Sequence, residues 1–321
     1  MEVVSLFSGI GGLDKGFINA GYKVVWANDF DKYAVETYKA NFSHPVVLGD
    51  INEIPLESIP RHDILIGGFP CQPFSMMGAQ RGFEDTRGTL FFRIAEIIKY
   101  QIDNNRKPKA VILENVRALK THDNGRTFKT IVRVITENLG YKVFPMILNT
   151  ADYGIPQTRN RMYIVCFAND SVNDFSAPEK VALTRTMKDY LEHGVEDKYF
   201  LSEKILPTIL SDGTGGYKAH SEIDLDIARP LCATMAKMHR ACQDNYVTDN
   251  RIDGTEGIRK LTPRECARLQ GFDRYNTSDY VIPVSNAQAY KQFGNAVTVD
   301  VAEAVARKVR TKLEELGEWH S

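Results

Sequence analysis

The chain has 321 residues, 43% of them apolar and 25% charged, and a formal net charge of -1. That composition suits a soluble protein with a sizeable core, in one large domain or two. Near-neutral charge argues against a uniformly basic nucleic-acid-binding protein but leaves room for a local basic cleft. No basic leader precedes an apolar run and no such run reaches membrane-spanning length, so we expect neither secretion nor a membrane span, and a cytoplasmic location.

Alternating apolar and helical segments fill the first half of the chain. The runs VVSLF, KVVWAN, PVVLG, DILIGG and AVILENV read as buried strands separated by helical stretches. This order predicts βαβ units around a mostly parallel sheet. The later runs YKVFPMILN and RNRMYIVCFA predict an antiparallel hairpin that closes one edge of that sheet.

The character of the sequence changes after about residue 172. Residues 176–256 are irregular and include the glycine-rich SDGTGGYKAH, whereas the final helix VDVAEAVARKVRTKLEEL is amphipathic and is expected to return to the first lobe. We therefore predict a large domain from 1–175 and 286–321, and a small loop-rich domain over 176–285.

The segment VVSLFSGIGGLDKGF places three glycines between the first strand and the first helix. A ligand could approach the backbone at Gly9, Gly11 and Gly12. The dinucleotide fingerprint would need glycine at Asp14, which disfavours an NAD site. Asp29, at the end of the next strand, could accept hydrogen bonds from ribose hydroxyl groups. Asp50, after the third strand, could accept from an adenine amino group. The alternative is that these glycines and acids only start helices.

The stretch GFPCQPFS holds Cys71 between two prolines at the end of the fourth predicted strand. A thiol at a ligand-binding edge can act as a nucleophile, whereas Cys166, within a strand, reads as a small hydrophobic residue. Five cysteines without C-x-x-C spacing predict neither a disulfide framework nor a metal site. Glu114 ends the fifth strand beside this thiol, unless it only caps the following helix.

Eight ordered blocks together resemble the DNA (cytosine-5) methyltransferases, particularly the compact bacterial enzymes of restriction-modification systems. The blocks are FSGIGGL, NDFDKYA, GDI, GFPCQPFS, LENV, QTRNRMYIV, KLTPRECARLQGF and KQFGNAVTV. They span nearly all of the chain outside about 172–256. The resemblance implies a Rossmann-like fold that uses S-adenosyl-L-methionine, releases S-adenosyl-L-homocysteine and acts on double-stranded DNA.

The resemblance also assigns residues by position. The cofactor-binding residues it implies are Phe7, Gly9, Ile10, Gly11, Gly12, Asp29, Phe30, Asp50, Ile51, Pro70, Asn295 and Ala296. The catalytic residues it implies are Cys71, Glu114, Arg159 and Arg161. Cys71 would add to C6 of a cytosine flipped out of the duplex, Glu114 would hold N3 and the amino group, and Arg159 would bond the base carbonyl. No side chain is assigned to remove the C5 proton.

Residues that contact DNA are expected in two regions. The segment SMMGAQRGFEDTRGTLFF is predicted to be a loop that closes over the flipped base, with Met77 where some relatives carry a small polar residue. The variable region, about 176–256, is expected to read bases in the major groove. The candidate DNA-binding residues are Ser75, Arg81, Arg87, Tyr217, Thr234, Lys237 and Arg240.

The block KLTPRECARLQGF contains a predicted helix start. Thr262, Pro263 and Glu265 form a capping box, and Gly271 provides the stop. Its basic residues, Arg259, Lys260, Arg264 and Arg268, are compatible with phosphate contacts, although Arg264 suits a structural role equally well.

Three other functions fit parts of the sequence. The related branch that methylates transfer RNA shares the catalytic core but carries a Cys-Phe-Thr insert not found in this chain. A DNA-binding relative without catalysis would also fit, and a nicotinamide-linked enzyme fits less well. From the family we expect a monomer on DNA that is associated with the nucleoid through its substrate. A cognate restriction endonuclease acting separately is compatible with the family but does not follow from this sequence.

Overall fold

The computed structural model describes residues 1–70, 90–211, 222–237 and 239–319. Within that part of the chain the strands are β1 Glu2–Leu6, β2 Lys23–Asp29, β3 Val46–Leu48, β4 Ile64–Gly68, β5 Ala110–Val116, β6 Lys142–Asn149, β7 Asn160–Phe167, β8 Tyr246–Asn250 and β9 Glu256–Lys260. The α-helices are α1 Gly12–Asn19, α2 Lys32–Asn41, α3 Leu90–Asp103, α4 Arg126–Arg133, α5 Leu206–Leu210, α6 Pro263–Leu269, α7 Asn286–Asn295 and α8 Val299–Glu315.

Seven of these strands form one sheet in the order β3-β2-β1-β4-β5-β7-β6. Strands β1 to β5 pair in parallel, and β7 runs antiparallel to β5. The predicted mostly parallel sheet, with its last two strands at one edge, is therefore confirmed. Parallel pairing brings the carboxyl ends of β1 to β5 to the same edge, which is where α/β folds bind ligands.

The apolar runs that predict the strands also explain their burial. Strands β4 and β5 are buried along nearly their whole length, as expected for central parallel strands covered on both faces. Helix α1 packs closely on α8, since a Cβ atom on Gly16 would lie 2.6 Å from the Ala302 Cβ atom. Cys166 is fully buried in β7, and this burial raises the pKa of its thiol, consistent with an unreactive core residue.

The chain divides into two compact units. The first comprises residues 1–148, 160–179 and 301–321, and the second comprises 149–159 and 180–300. The first unit contains most of α8, whereas residues 149–159 and 286–300 group with the second unit. The predicted catalytic domain, 1–175 with 286–321, and the predicted target-recognition domain, 176–285, are divided by function. That division stays a prediction.

The second unit contains the antiparallel hairpin β8–β9 and helices α5, α6 and α7. The predicted capping box is confirmed, because the Thr262 side chain accepts from the Glu265 N–H and the Glu265 side chain accepts from the Thr262 N–H. Gly271 follows α6 with a φ of 76°, the left-handed conformation expected at a helix stop.

The expected basic patch around α6 is wrong for its arginines. Arg259 is fully buried and pairs with Glu265 at 2.8 Å and with Asp249 at 2.7 Å. Arg264 pairs with an aspartate, and the buried Arg268 donates to backbone carbonyl groups. Each of these three guanidinium groups donates to an acceptor inside the second unit. The arginines therefore do not form a surface that could bind phosphate.

Two further findings concern the segments around the sheet. Leu90, Phe91 and Phe92, the end of the predicted closing loop, belong to helix α3, where both phenylalanines are buried. The rest of that loop lies outside the described residues. In the ranges that the structure describes, no helix has both the length and the apolarity needed to cross a membrane.

Candidate active site

The turn between β1 and α1 is a glycine loop with left-handed backbone angles. Gly9 and Gly11 have φ values of 55° and 83°, and Phe7 before them has 54°. Glycine adopts such angles without strain, whereas at Phe7 the surrounding structure must impose them. A Cβ atom on Gly9 would meet no heavy atom within 4 Å. The loop therefore leaves open space where a ligand can approach the backbone closely.

Asp29, the last residue of β2, holds this loop. Its Oδ2 atom accepts from the Gly9 N–H at 2.8 Å, and its Oδ1 atom accepts from the Asp31 N–H at 2.8 Å. Burial raises the pKa of Asp29, although the backbone hydrogen bonds act in the opposite direction. Phe30 beside it is 74% exposed. The pair offers a ligand both an acceptor carboxylate and a flat apolar ring.

The segment after β3 completes this side of the sheet edge. Asp50 is exposed and accepts from the Asn52 N–H at 2.9 Å, whereas Ile51 is buried. The Nε atom of Arg93, on α3, donates to the Ile51 carbonyl at 3.0 Å. The position of the segment is thus fixed by an arginine from a distant helix.

The ends of β4 and β5 lie side by side at the same edge. Gly68 of β4 pairs with Glu114 of β5. The buried Asn115 side chain donates from Nδ2 to the Phe69 carbonyl at 2.8 Å, which fixes the chain two residues before Cys71. Cys71 itself lies outside the described residues.

Glu114 has a cationic partner on β7. The Arg161 Nε atom lies 3.2 Å from the Glu114 Oε1 atom, with side-chain exposures of 22% and 10%. The antiparallel register explains the contact, because Val116 on β5 stands opposite Arg161. A carboxylate and a guanidinium therefore stand together, partly buried, at the edge from which the Cys71 segment leaves the sheet.

Arg159 has different surroundings from Arg161, although the two are separated by one residue. Arg159 is 1% exposed and lies in the second unit. Its guanidinium donates to the carbonyl groups of Leu231, Gly294 and Ala296, at 2.9, 3.0 and 2.9 Å. In the structure Arg159 therefore connects the end of α7 to the segment that begins at residue 231.

The other predicted cofactor residues occupy separate places. Within the second unit, Asn295 is exposed at the end of α7 and Ala296 follows it. Gly294 lets this turn approach residue 233, because a Cβ atom there would lie 2.2 Å from the Ala233 nitrogen. Pro70, in the first unit, is exposed after β4, and the predicted Ile10, Gly11 and Gly12 are buried in the glycine loop.

Part of the predicted DNA-contacting set lies in the described second unit. Thr234 and Lys237 are exposed, as a DNA contact requires. Arg240 pairs with Asp244 at 2.7 Å and also donates to the Gln243 side chain at 2.8 Å, so its guanidinium is engaged within its own loop. The remaining predicted residues, Ser75, Arg81, Arg87 and Tyr217, lie outside the described residues, as does Met77 of the predicted closing loop.

The chain matches known proteins over almost its whole length. A family model described as C-5 cytosine-specific DNA methylase matches residues 1–311. The chain belongs to that family. The Type II methyltransferase M.HpaII of Haemophilus parainfluenzae is 44% identical over 98% of this chain and 90% of its own length. M.HhaI of Haemophilus parahaemolyticus is 37% identical over 98% of this chain and 95% of its own length.

Solved structures agree on the fold. The Entamoeba histolytica methyltransferase EhMeth covers 98% of this chain and 98% of its own, with a TM-score of 0.75 at 20% identity. Spodoptera frugiperda DNMT2 gives the same TM-score and identity, covering 96% of this chain and 99% of its own. Membership of the methylase family makes this protein a DNA (cytosine-5) methyltransferase whose methyl donor is S-adenosyl-L-methionine.

Several residues that support the site were not singled out by the sequence. Asn115, Arg93 and Tyr38 act through hydrogen bonds that join segments far apart in the chain. Asn115 had a signal, because it stands next to Glu114 in the LENV block. Arg93 and Tyr38 sit in helices whose patterns say only that the helices are amphipathic, so their partners could be found only in the structure.

Proposed function

We propose that methyl transfer proceeds through a covalent bond between the Cys71 Sγ atom and C6 of a cytosine rotated out of the duplex. The observation that carries the proposal is the Glu114–Arg161 pair, 3.2 Å apart at the end of β5, beside the end of β4, which only two residues separate from Cys71. C5 of cytosine is a weak nucleophile. Addition of a thiolate to C6 turns the ring into an enamine-like species that attacks from C5, and this divides one difficult step into two.

Glu114 and Arg161 have complementary roles toward the base. The protonated Glu114 carboxyl group would donate its hydrogen to N3 and accept from the exocyclic amino group, which offsets the negative charge that develops on the ring when the thiolate adds. We give the base carbonyl to Arg161 rather than to Arg159, since Arg161 stands beside Glu114 whereas Arg159 already donates to three backbone carbonyl groups. After methylation the C5 proton leaves and the C6–Sγ bond breaks, which restores the thiolate and the aromatic ring.

The glycine loop fits S-adenosyl-L-methionine as its cofactor. When bound, this molecule supplies a methyl group activated by a sulfonium. Open space at Gly9 would admit the ligand, the Asp29 carboxylate would accept from ribose hydroxyl groups, and the exposed Phe30 ring would cover the adenine. Asp50 and Ile51 follow at the next strand end.

We further propose that the variable segment 176–256 selects the DNA sequence. Exposed Thr234 and Lys237 are the described residues best suited to contact DNA. The curated relatives are named Type II methyltransferases, so a restriction-modification system with a separate endonuclease is the expected setting, with the enzyme acting as a monomer on cellular DNA.

Trapping on 5-fluorocytosine DNA tests the covalent step. Fluorine at C5 cannot leave as a proton does, so the wild-type enzyme with S-adenosyl-L-methionine should form a complex that survives denaturing electrophoresis. Cys71→Ser should form none, whereas Cys166→Ala, which alters the buried thiol in β7, should form as much as wild type. Equal trapping by Cys71→Ser and wild type would refute the role of Cys71.

A further inference from the structure

A buried chain of hydrogen bonds lies beneath the glycine loop. Asp14, in the first turn of α1, is fully buried and accepts from the Ser5 Oγ–H at 2.9 Å and the Tyr38 Oη–H at 2.5 Å. The Tyr38 Oη atom also lies 2.5 Å from the His44 Nε2 atom. Tyrosine has one hydroxyl hydrogen, so when Tyr38 donates to Asp14 it must accept from a His44 Nε2–H.

This chain of hydrogen bonds fixes a ring that touches the loop. Tyr38 and Phe42 lie with their ring centroids 4.5 Å apart. A Cβ atom on Gly11 would lie 2.3 Å from a Phe42 ring carbon and 3.1 Å from a Tyr38 ring carbon. The two rings are therefore the wall against which the loop backbone packs, and a displacement of Tyr38 would displace that wall.

We propose that Asp14, Tyr38 and His44 are positioning residues that keep the glycine loop in its cofactor-binding form and make cofactor affinity depend on pH. The proposal rests on the proposed function in one respect, the use of this loop by S-adenosyl-L-methionine. None of the three residues belongs to the catalytic or cofactor-contacting sets described above.

The charge states give the direction of the effect. Burial raises the pKa of Asp14 to about 6; the Tyr38 and Ser5 hydrogen bonds lower it, and the Asp29 charge raises it. Burial lowers the pKa of His44, so its ring is neutral at neutral pH. Above about pH 6 Asp14 is charged and receives a strong charge-assisted bond from Tyr38. Below it the carboxyl group is protonated, the bond weakens and cofactor affinity falls.

The test measures the dissociation constant of S-adenosylhomocysteine by calorimetry, with the full chain, between about pH 5.5 and 8. Tyr38→Phe keeps the ring and removes the hydroxyl group, so it should bind about fivefold more weakly at the upper pH. Asp14→Asn should bind about threefold more weakly and should lose the decline at low pH. Asp29 also faces the loop and its pKa is raised, so it can add its own pH dependence to the affinity. The effect of Asp14 is therefore taken as the difference between the pH dependence of the dissociation constant in wild type and in Asp14→Asn.

Stability separates positioning from simple structural support. The raised pKa of Asp14 means that its charged form costs stability above about pH 6, so Asp14→Asn should have a melting temperature no lower than wild type at neutral pH despite its weaker binding. If Tyr38→Phe fails to fold, Asp14→Asn decides alone. The matched control is Tyr141→Phe, which removes the hydrogen bond from a buried tyrosine to the Pro108 carbonyl, 2.8 Å long, at the opposite end of β5. It should leave binding unchanged.

Two further outcomes distinguish the proposals. The positioning role would be overturned if Tyr38→Phe and Asp14→Asn both bound S-adenosylhomocysteine as tightly as wild type. It would also be overturned if the affinity of Asp14→Asn depended on pH in the same way as that of wild type. Gly9→Val tests the loop itself, because its side chain would fill the open space. If Gly9→Val binds normally, the cofactor site has been assigned to the wrong loop; if it fails to bind while Tyr38→Phe and Asp14→Asn bind normally, only the positioning role fails.

Discussion

In the proposed mechanism, Glu114 is the residue on which the reaction most depends after Cys71. In Glu114→Gln the amide cannot give a proton to N3, and Arg161 loses its acidic partner. We expect the methylation rate to fall by about 100-fold or more, the usual size when one such electrostatic contact is removed. Binding of S-adenosylhomocysteine should be unchanged, since the cofactor residues lie at other strand ends.

Single-turnover methylation of duplex DNA would measure this loss. Glu314→Gln is a matched control, because Glu314 pairs with Arg310 at 2.8 Å on the exposed face of α8. A surface ion pair contributes little, so the control should methylate at the wild-type rate. A rate for Glu114→Gln within a few fold of the control would contradict the proposed role.

Single residues also show where sequence reasoning stops. The LENV block correctly directs attention to the end of β5, because a carboxylate after four apolar residues is unusual. The alternation in QTRNR, by contrast, does not distinguish its arginines. Arg159 is committed to backbone carbonyl groups of the second unit and Arg161 stands beside Glu114, and nothing in the residue types predicts that division.

The contact between α1 and α8 depends on one glycine. A Cβ atom on Gly16 would lie 2.6 Å from both the Ala302 Cβ atom and the Glu303 nitrogen. Backbone cannot move aside as a flexible side chain can, so Gly16→Ala should destabilise the protein by about 1–3 kcal/mol although alanine favours helix. Urea unfolding would measure the change. Gly49→Ala, whose Cβ atom would have no heavy atom within 4 Å, should stay close to wild type.

Elements with strong local signals are predictable from the sequence, and elements defined by distant partners are not. The parallel strands follow from apolar runs, and the α6 capping box follows from Thr262 and Glu265. The basic residues of the same block mislead, because the partners of Arg259 include Asp249, which local sequence does not connect with it. The burial of paired charges depends on residues that are far apart in the chain, whereas a helix cap depends on neighbouring residues.

At the scale of the whole molecule, DNA specificity should be transferable. Exchange of residues 176–256 for the corresponding segment of a relative should change the methylated sequence and leave S-adenosylhomocysteine affinity intact. The structure favours this exchange, because Gln157 and Arg159 hold residue 231 through its backbone N–H and carbonyl, which any side chain leaves available. The chimera should retain Asp249, since a buried Arg259 without this partner would be costly.

Bisulfite sequencing of DNA from cells that express the chimera would reveal the newly methylated sequence. A second chimera with Asp249→Ala serves as the stability control and should melt at a lower temperature. Methylation at the original site by a folded chimera would show that the specificity residues lie outside 176–256.

The exposed Phe30 ring lies close to an open edge of the sheet. Phe30 is 74% exposed and follows Asp29, which pairs with the 51% exposed Leu48 of β3. Strand β3 is the outermost strand on that side of the sheet, and an edge with apolar groups beside it favours contact between molecules. A ligand that covers the ring would shield this edge. If S-adenosyl-L-methionine covers Phe30 as proposed, the protein without cofactor should self-associate more readily at high concentration than the protein with it.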